Sequence, residues 1–245
     1  MPDIFPHTGD ANLRMNNEAS WSDARGAAVA EVIDTSGDKY SAAIREKANS
    51  SGTQYSIRRY FAAFDTSEIT VKPESATFKL HGYLNSDSQI VVVKVSAGAT
   101  GDSSTNFVAA DYNNVTSTKY SDEYAGTFST SEYNLITLND AALEDIKTLD
   151  EFKIAVIGHD FDYSNATPAN NVSRASGFYT ANASGGNAGK RPVISYVAGT
   201  AGDTPTEKRN KRRTRKTKGA AGKGFAVRNV SAAAGGKTVA NGFED

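Results

Sequence analysis

Cysteine is absent from the 245 residues, so neither a disulfide nor a thiolate metal site can hold the fold together. Stability has to come from packing and strand pairing. Histidine is scarce: His7, His81 and His159 lie in unrelated contexts, which leaves a hydrolytic triad hard to assemble. The patterns Gly-x-Ser-x-Gly, Gly-x-x-x-x-Gly-Lys-Ser/Thr and strand-linked Gly-x-Gly-x-x-Gly do not occur, so the local geometries of a nucleophile elbow, a P-loop and a dinucleotide fold are missing. Non-enzymatic function is therefore expected, with no cofactor and no metal. No apolar run approaches the roughly 18 residues of a membrane span, and no membrane partner is expected. The opening Met1-Pro2-Asp3-Ile4-Phe5-Pro6 has neither the basic start nor the apolar stretch of a signal peptide, so synthesis in a cytoplasm is expected.

Net charge is nearly absent too, at −1, but this hides an asymmetry. From Ala201 onward there are 11 Lys and Arg against 4 Asp and Glu, leaving 16 basic and 24 acidic residues to the first 200. A mildly acidic body thus carries a basic tail. The stretch Ala198-Gly199-Thr200-Ala201-Gly202-Asp203-Thr204-Pro205 has linker composition, and 8 of the 11 residues from Lys208 to Lys218 are basic. Beyond it, small residues surround the sparse apolar points Phe225, Val227, Val230, Val239 and Phe243. Too little apolar surface is present there to offset the entropy of ordering. The chain accordingly divides into a folded domain over 1–198 and a linker with a basic low-complexity C-terminal arm over 199–245.

What the body has is short β-branched and aromatic runs between Gly, Ser, Thr, Asn and Asp clusters, the pattern of an all-β domain. In Gln54–Phe64 the period of two sets Tyr55, Ile57 and Phe61 on one side and Ser56, Arg58 and Tyr60 on the other. Ala76–Leu84 alternates Phe78, Leu80 and Gly82 with Thr77, Lys79 and His81, as a half-buried strand does, whereas the continuous run Ile90–Val95 predicts burial on both faces. Further strands are expected over Tyr133–Leu138, Phe152–Gly158, Gly177–Thr180 and Arg191–Val197. Ala28–Ile33 is read as a strand, and Tyr40–Ile44 suits either a strand or a helix. One short helix is expected, capped by Asn139 and covering the core with Leu143 and Ile146.

Two clusters carry candidate chemistry. Asp160 and Asp162, two apart in His159-Asp160-Phe161-Asp162-Tyr163, could together offer hard oxygens to Ca²⁺, but a solvated loop at a strand end is the more economical reading. Asp65 and Glu68 are open to the same suggestion and the same objection. The aromatic residues Tyr112, Tyr120, Tyr124 and Tyr133 lie in or near a polar segment. The first three form a candidate glycan platform, although aromatic rings in a sandwich more often pack than bind.

The run Arg58-Arg59-Tyr60-Phe61-Ala62-Ala63-Phe64-Asp65-Thr66-Ser67-Glu68-Ile69, followed by Ala76-Thr77-Phe78-Lys79-Leu80 and, much later, by Lys190-Arg191-Pro192-Val193-Ile194-Ser195-Tyr196, resembles the DNRLRE-type β-sandwich module. The first sixty residues and the arm depart from that pattern. The resemblance implies a jelly-roll-like antiparallel sandwich. Members of that family look like carbohydrate-binding modules of secreted proteins or virion proteins of tailed phages, and the N-terminus favours the second group.

The expectation is a multi-copy or homo-oligomeric structural protein located in the virion, as a capsid decoration or fibre-like appendage, with host surface glycans as a second partner class. Its arm would dock on other virion proteins through Lys208, Arg209, Lys211, Arg212, Arg213, Arg215, Lys216 and Lys218, together with Phe225, Val227 and Val230. Nucleic acid is the less favoured partner, because it would use the charges and ignore those apolar side chains. An adhesion or carbohydrate-binding module is the alternative.

Overall fold

The computed structural model describes residues 1–39, 44–124 and 127–200; the arm residues named above, and Tyr40–Ala43 of the ambiguous segment, lie outside them. Met1–Thr200 forms one compact unit. The described elements are β1 (Asp3–Ile4), β2 (Ala11–Glu18), α1 (Trp21–Gly26), β3 (Val32–Asp34), β4 (Ile44–Ala48), β5 (Tyr55–Asp65), β6 (Ser75–Ser86), β7 (Ile90–Val95), β8 (Val115–Lys119), β9 (Tyr133–Thr137), α2 (Asp140–Thr148), β10 (Glu151–Gly158), β11 (Ser173–Phe178) and β12 (Val193–Val197). Among the described residues no helix is long and apolar enough to cross a membrane.

The protein is an all-β antiparallel sandwich. One layer runs β1-β12-β6-β9, and the other runs β3-β2-β5-β10-β7-β8. Two long strands connect the layers. β6 pairs β12 through Ser75–Lys79 and β11 through Gly82–Asn85, while β5 pairs β4 near its start and β10 from Tyr60 onward. Since β11 also pairs β4, the two layers are joined at one corner by the path β6-β11-β4-β5.

Side-chain alternation explains why both faces of β5 are buried. Tyr60, Ala62 and Phe64 point between the layers, into a core with Phe78, Leu80, Ile90, Val92, Phe152, Ile154, Val156 and Phe178. Ile57, Phe61 and Ala63 point the other way, into a second core with Leu13, Trp21, Val91, Val93, Phe107, Tyr112 and Ala155. The first core is packed by rings. Tyr60 meets Phe178 edge-on at 4.9 Å, and Tyr120 stacks on Phe152 at 5.0 Å, arrangements that add about 0.5–1.5 kcal/mol each beyond area burial. The second core lies on the outer face of the larger layer and is covered by α1 and by the loop leading to a single 3-10 turn, Ala109–Asn113.

Several expectations are met in the described residues. β6 alternates buried and half-buried positions, and β7 is buried on both faces up to Val93. α2 begins where expected: the Asn139 side chain accepts from the Ala142 N–H at 3.1 Å, and Leu143 and Ile146 are buried. Three differences stand out. β11 occupies Ser173–Phe178 rather than Gly177–Thr180. Of the Ala28–Ile33 region only Val32 and Ile33 are in a strand, β3, and the first residues of the region form the exit from a second α-helix. That helix, α1, is capped by Ser20 Oγ accepting from the Asp23 N–H at 3.0 Å, and it buries Trp21 and Ala24 at a spacing of three.

β12 links β1 to β6 and contributes Ile194 to the inner core, and the composition from Gly202 onward is poor in core-forming residues. A chain ending at Thr200 is expected to unfold cooperatively at the full-length midpoint, and one ending at Gly189 to remain unfolded. Circular dichroism melts of the two chains check this, and a lowered midpoint at Thr200 would refute it.

Candidate functional site

The period of two puts Arg59 on the same side of β5 as Ile57 and Phe61, with Leu13 of β2 as its cross-strand neighbour. A guanidinium is thus placed in an apolar layer, where it needs full pairing. Its side chain is 4% exposed and every edge is used. Nε and Nη2 donate to the two carboxylate oxygens of Asp162 at 2.8 and 2.7 Å, a bidentate fork that an ammonium could not match. Nη1 donates to the carbonyl of Tyr112 at 2.8 Å, and Nη2 also to the carbonyl of Arg25 at 2.9 Å. The Tyr112 ring lies 4.3 Å from the guanidinium carbon. One side chain therefore ties β5 to α1, to the 3-10 turn and to the segment after β10.

That segment, His159–Tyr163, is a single π turn, and it leaves the sheet where β4 and β10 diverge along β5. Backbone N–H groups there lose their ladder partners. The Glu46 carboxylate of β4 replaces them, with Oε1 accepting from the N–H groups of Phe161 and Asp162 at 3.0 and 2.6 Å. The approach is close enough that a Cβ on Gly158 would lie 2.1 Å from the Glu46 carboxyl carbon, so any larger residue there would displace the carboxylate from the two N–H groups. Burial, the largest cause, and the nearby Asp162 carboxylate push Glu46 up to about 7, while the two N–H groups pull it down. Asp10 is likewise raised to about 7, by burial, against the Ala181 N–H and the Tyr60 hydroxyl that donate to it.

A cleft of about 430 Å³ opens beside this fork, lined among others by Arg25, Arg59, Asp162, Thr116, Ser117 and Tyr163. Arg25 is its accessible cation, with Nε donating to the Asp162 carbonyl at 2.7 Å and a side chain 35% exposed. The lining offers hydrogen bonds to a polar ligand, and the N–H of its Ser164 donates to the carbonyl of His159 at 3.2 Å. The three histidines stay apart, as their sequence contexts implied. His7 accepts from the Gly9 N–H, His81 packs edge-on to Tyr133 and Tyr179, and His159 lies 2.9 Å from Glu123 and stacks on Tyr163.

The structure corrects two readings of candidate residues. Tyr112 and Tyr120 are fully buried, not exposed: the Tyr112 hydroxyl donates to the Ala24 carbonyl, and the Tyr120 hydroxyl to the Asp145 carboxylate. Tyr124 is half-buried, its ring packed against Phe128 and its hydroxyl directed to Asn134, and Tyr133 directs its hydroxyl to the carbonyls of Gly189 and Arg191. The four rings therefore do not form one exposed platform. The solvated-loop reading of Asp160 and Asp162 is corrected for Asp162, which is 1% exposed, and the two carboxylates point to different partners. Asp162 turns inward to Arg59, whereas Asp160 pairs with Arg174 at 2.5 Å, and among the described residues no cluster of three or more ligating side chains could hold a metal ion. The arm residues fall outside the described part of the chain.

A scan against models of protein families finds no match, and a search of curated proteins returns none.

Breaking a buried, hydrogen-bonded charge pair from one side costs about 3–5 kcal/mol. Arg59→Ala and Asp162→Ala are each expected to lose that much stability in urea melts, and Arg59→Lys to recover little of it. A loss below about 1 kcal/mol, the range of an exposed pair, would contradict the arrangement.

Glu46 and Asp10 have folded-state values raised above their ordinary ones of 4.5 and 3.8. Their contribution is fully present below about pH 4 and is lost as the pH rises to about 7, so unfolding free energy is expected to fall across that window. Glu46→Gln should flatten its share of the slope in melts recorded at several pH values. An unchanged slope in Glu46→Gln and Asp10→Asn would refute the assignment.

Proposed function

We propose that this chain is a non-enzymatic structural protein of a virus particle, a capsid decoration or fibre-like appendage of a tailed phage, whose sandwich faces outward and whose basic arm docks on neighbouring virion proteins. The observation that carries the reading is the use made of the buried polar groups. Arg59, Asp162 and Glu46 fasten loops to a sheet, and the Asp111 carboxylate of the 3-10 turn holds the loop before it in place by accepting from the backbone N–H groups of Thr100, Gly101 and Val108. Rigid loops on a sandwich suit a mechanical or display role. The arm supports the docking half of the proposal through its composition, with 8 basic residues in Lys208–Lys218 followed by Phe225, Val227 and Val230 among small residues, a pattern suited to an extended peptide that adds to a sheet edge or fills shallow pockets.

The protein should co-purify with particles at fixed copy number. Removal of residues 203–245 should leave it soluble but unable to join them, and Phe225→Ala should impair joining at moderate salt. A nucleic-acid partner would behave otherwise, since a complex engaging about eight phosphates loses roughly four orders of magnitude in affinity between 50 and 200 mM salt. If neutralising the Lys208–Lys218 charges abolishes association while Phe225→Ala and Val227→Ala leave it intact, the electrostatic reading replaces this one.

A further inference from the structure

One residue before Arg59, the opposite face of β5 carries a second guanidinium with a different environment. Arg14 of β2 and Arg45 of β4 are both direct cross-strand partners of Arg58, on its two edges. Three arginines therefore leave the same face of three adjacent strands, with Cα atoms of neighbours about 4.5–5.5 Å apart. Like charges directly opposite one another are destabilising, and such a row calls for countercharge.

The protein supplies little of it. Arg14 is answered by Asp34 at 3.1 Å and by the Asn12 side-chain oxygen at 2.7 Å. Among the described residues, neither Arg45 nor Arg58 has an ion-pair partner, and Arg58 Nε is buried without a hydrogen bond. The hydroxyl of Tyr83, which lies within electrostatic range of both Arg58 and Arg14, is buried and unpartnered as well. Lys39 adds a fourth cation, its Nζ 4.9 Å from the centre of the Tyr83 ring. Burial, with Arg14 and Arg45 alongside, lowers Arg58 to about 10, which agrees with a guanidinium short of partners. The contrast with Arg59, whose edges are all bonded, shows that the same strand can satisfy an arginine where the fold needs it.

We propose that the Arg14–Arg58–Arg45 row is an anion-binding site that takes the oxyanion of a sulfate, phosphate or carboxylate group, with the Tyr83 hydroxyl as an additional donor. Guanidinium groups bind such oxyanions through paired, charge-assisted hydrogen bonds. The oxyanion can arrive as a free inorganic ion or on an acidic saccharide, and the site recognises the group common to both. This inference stands apart from the proposed virion role and does not depend on it.

The test follows the Nε–H resonances of Arg58 and Arg45 by NMR in the full chain, at fixed ionic strength, during titration with inorganic sulfate, a neutral disaccharide and its sulfated counterpart. A saturable shift at Arg58 with both sulfated probes and none with the neutral sugar is expected. Tighter binding of the sulfated sugar would assign the saccharide as the source, and equal binding the free ion. Arg45→Gln should weaken binding about tenfold, the equivalent of about 1.4 kcal/mol. Tyr83→Phe, which removes only an unpartnered hydroxyl, should weaken it while leaving the unfolding midpoint unchanged. Absence of a saturable shift at Arg58, or equal affinity in Arg45→Gln and the unaltered chain, overturns the proposal.

Discussion

The fork between Arg59 and Asp162 is the constraint on which the outer half of the molecule depends. The inner core between the two layers is packed mainly by apolar side chains and rings, with the Tyr60 and Tyr120 hydroxyls bonded to Asp10 and Asp145 at its margins. The outer core is different, because the face of β5, β10 and β7 that it covers is roofed by one six-residue helix and by loops. A helix that short has no independent stability. It is held by Trp21 and Ala24 packed beneath it and by the carbonyl of Arg25 accepting from Arg59. The 3-10 turn is anchored through the carbonyl of Tyr112 in the same way. Desolvating the charge pair is costly, and its hydrogen-bonding return is collected from three separate segments at once.

The geometry of the sheet explains why the pair sits where it does. β5 is shared lengthwise by β4 and β10, and the gap between those two strands needs a polar plug. Glu46 and the π turn fill it, with Gly158 giving the carboxylate room. Two carboxylates beside a single guanidinium cannot both be stabilised as anions by it. Asp162 takes the fork and Glu46 is pushed up to about 7. The stability of the layer is thereby expected to fall as the pH rises towards about 7.

Much of the inner architecture was legible in the sequence, because it follows from period-two patterns that burial enforces. Phe78 and Leu80 in β6, the continuous run of β7, and the Asn139 cap of α2 each express one physical rule. β2 escaped notice because Asn12, Arg14, Asn16, Asn17 and Glu18 dominate Ala11–Glu18, although Ala11, Leu13 and Met15 alternate with them and are buried in the outer core. α1 is too short to show a period. The candidate site was the least legible part. Asp162 looked like a loop acid, and Tyr112 and Tyr120 looked exposed because their neighbours in sequence are polar. One signal was present: Arg59 falls in phase with Ile57 and Phe61, and a charge in an apolar phase implies a buried partner.

Arg58 and Arg59 show how adjacent residues of one strand acquire opposite roles through alternation, the first in a row of like charges and the second at the centre of a bonded network. The most direct measurement of that network is amide hydrogen exchange in Asp162→Asn, which keeps the shape of the side chain and removes its charge. Protection should fall in residues 20–27, 109–114 and 159–164 while β6, β10 and β12 retain theirs. Uniform loss of protection across both layers, or none in the three anchored segments, would contradict the account.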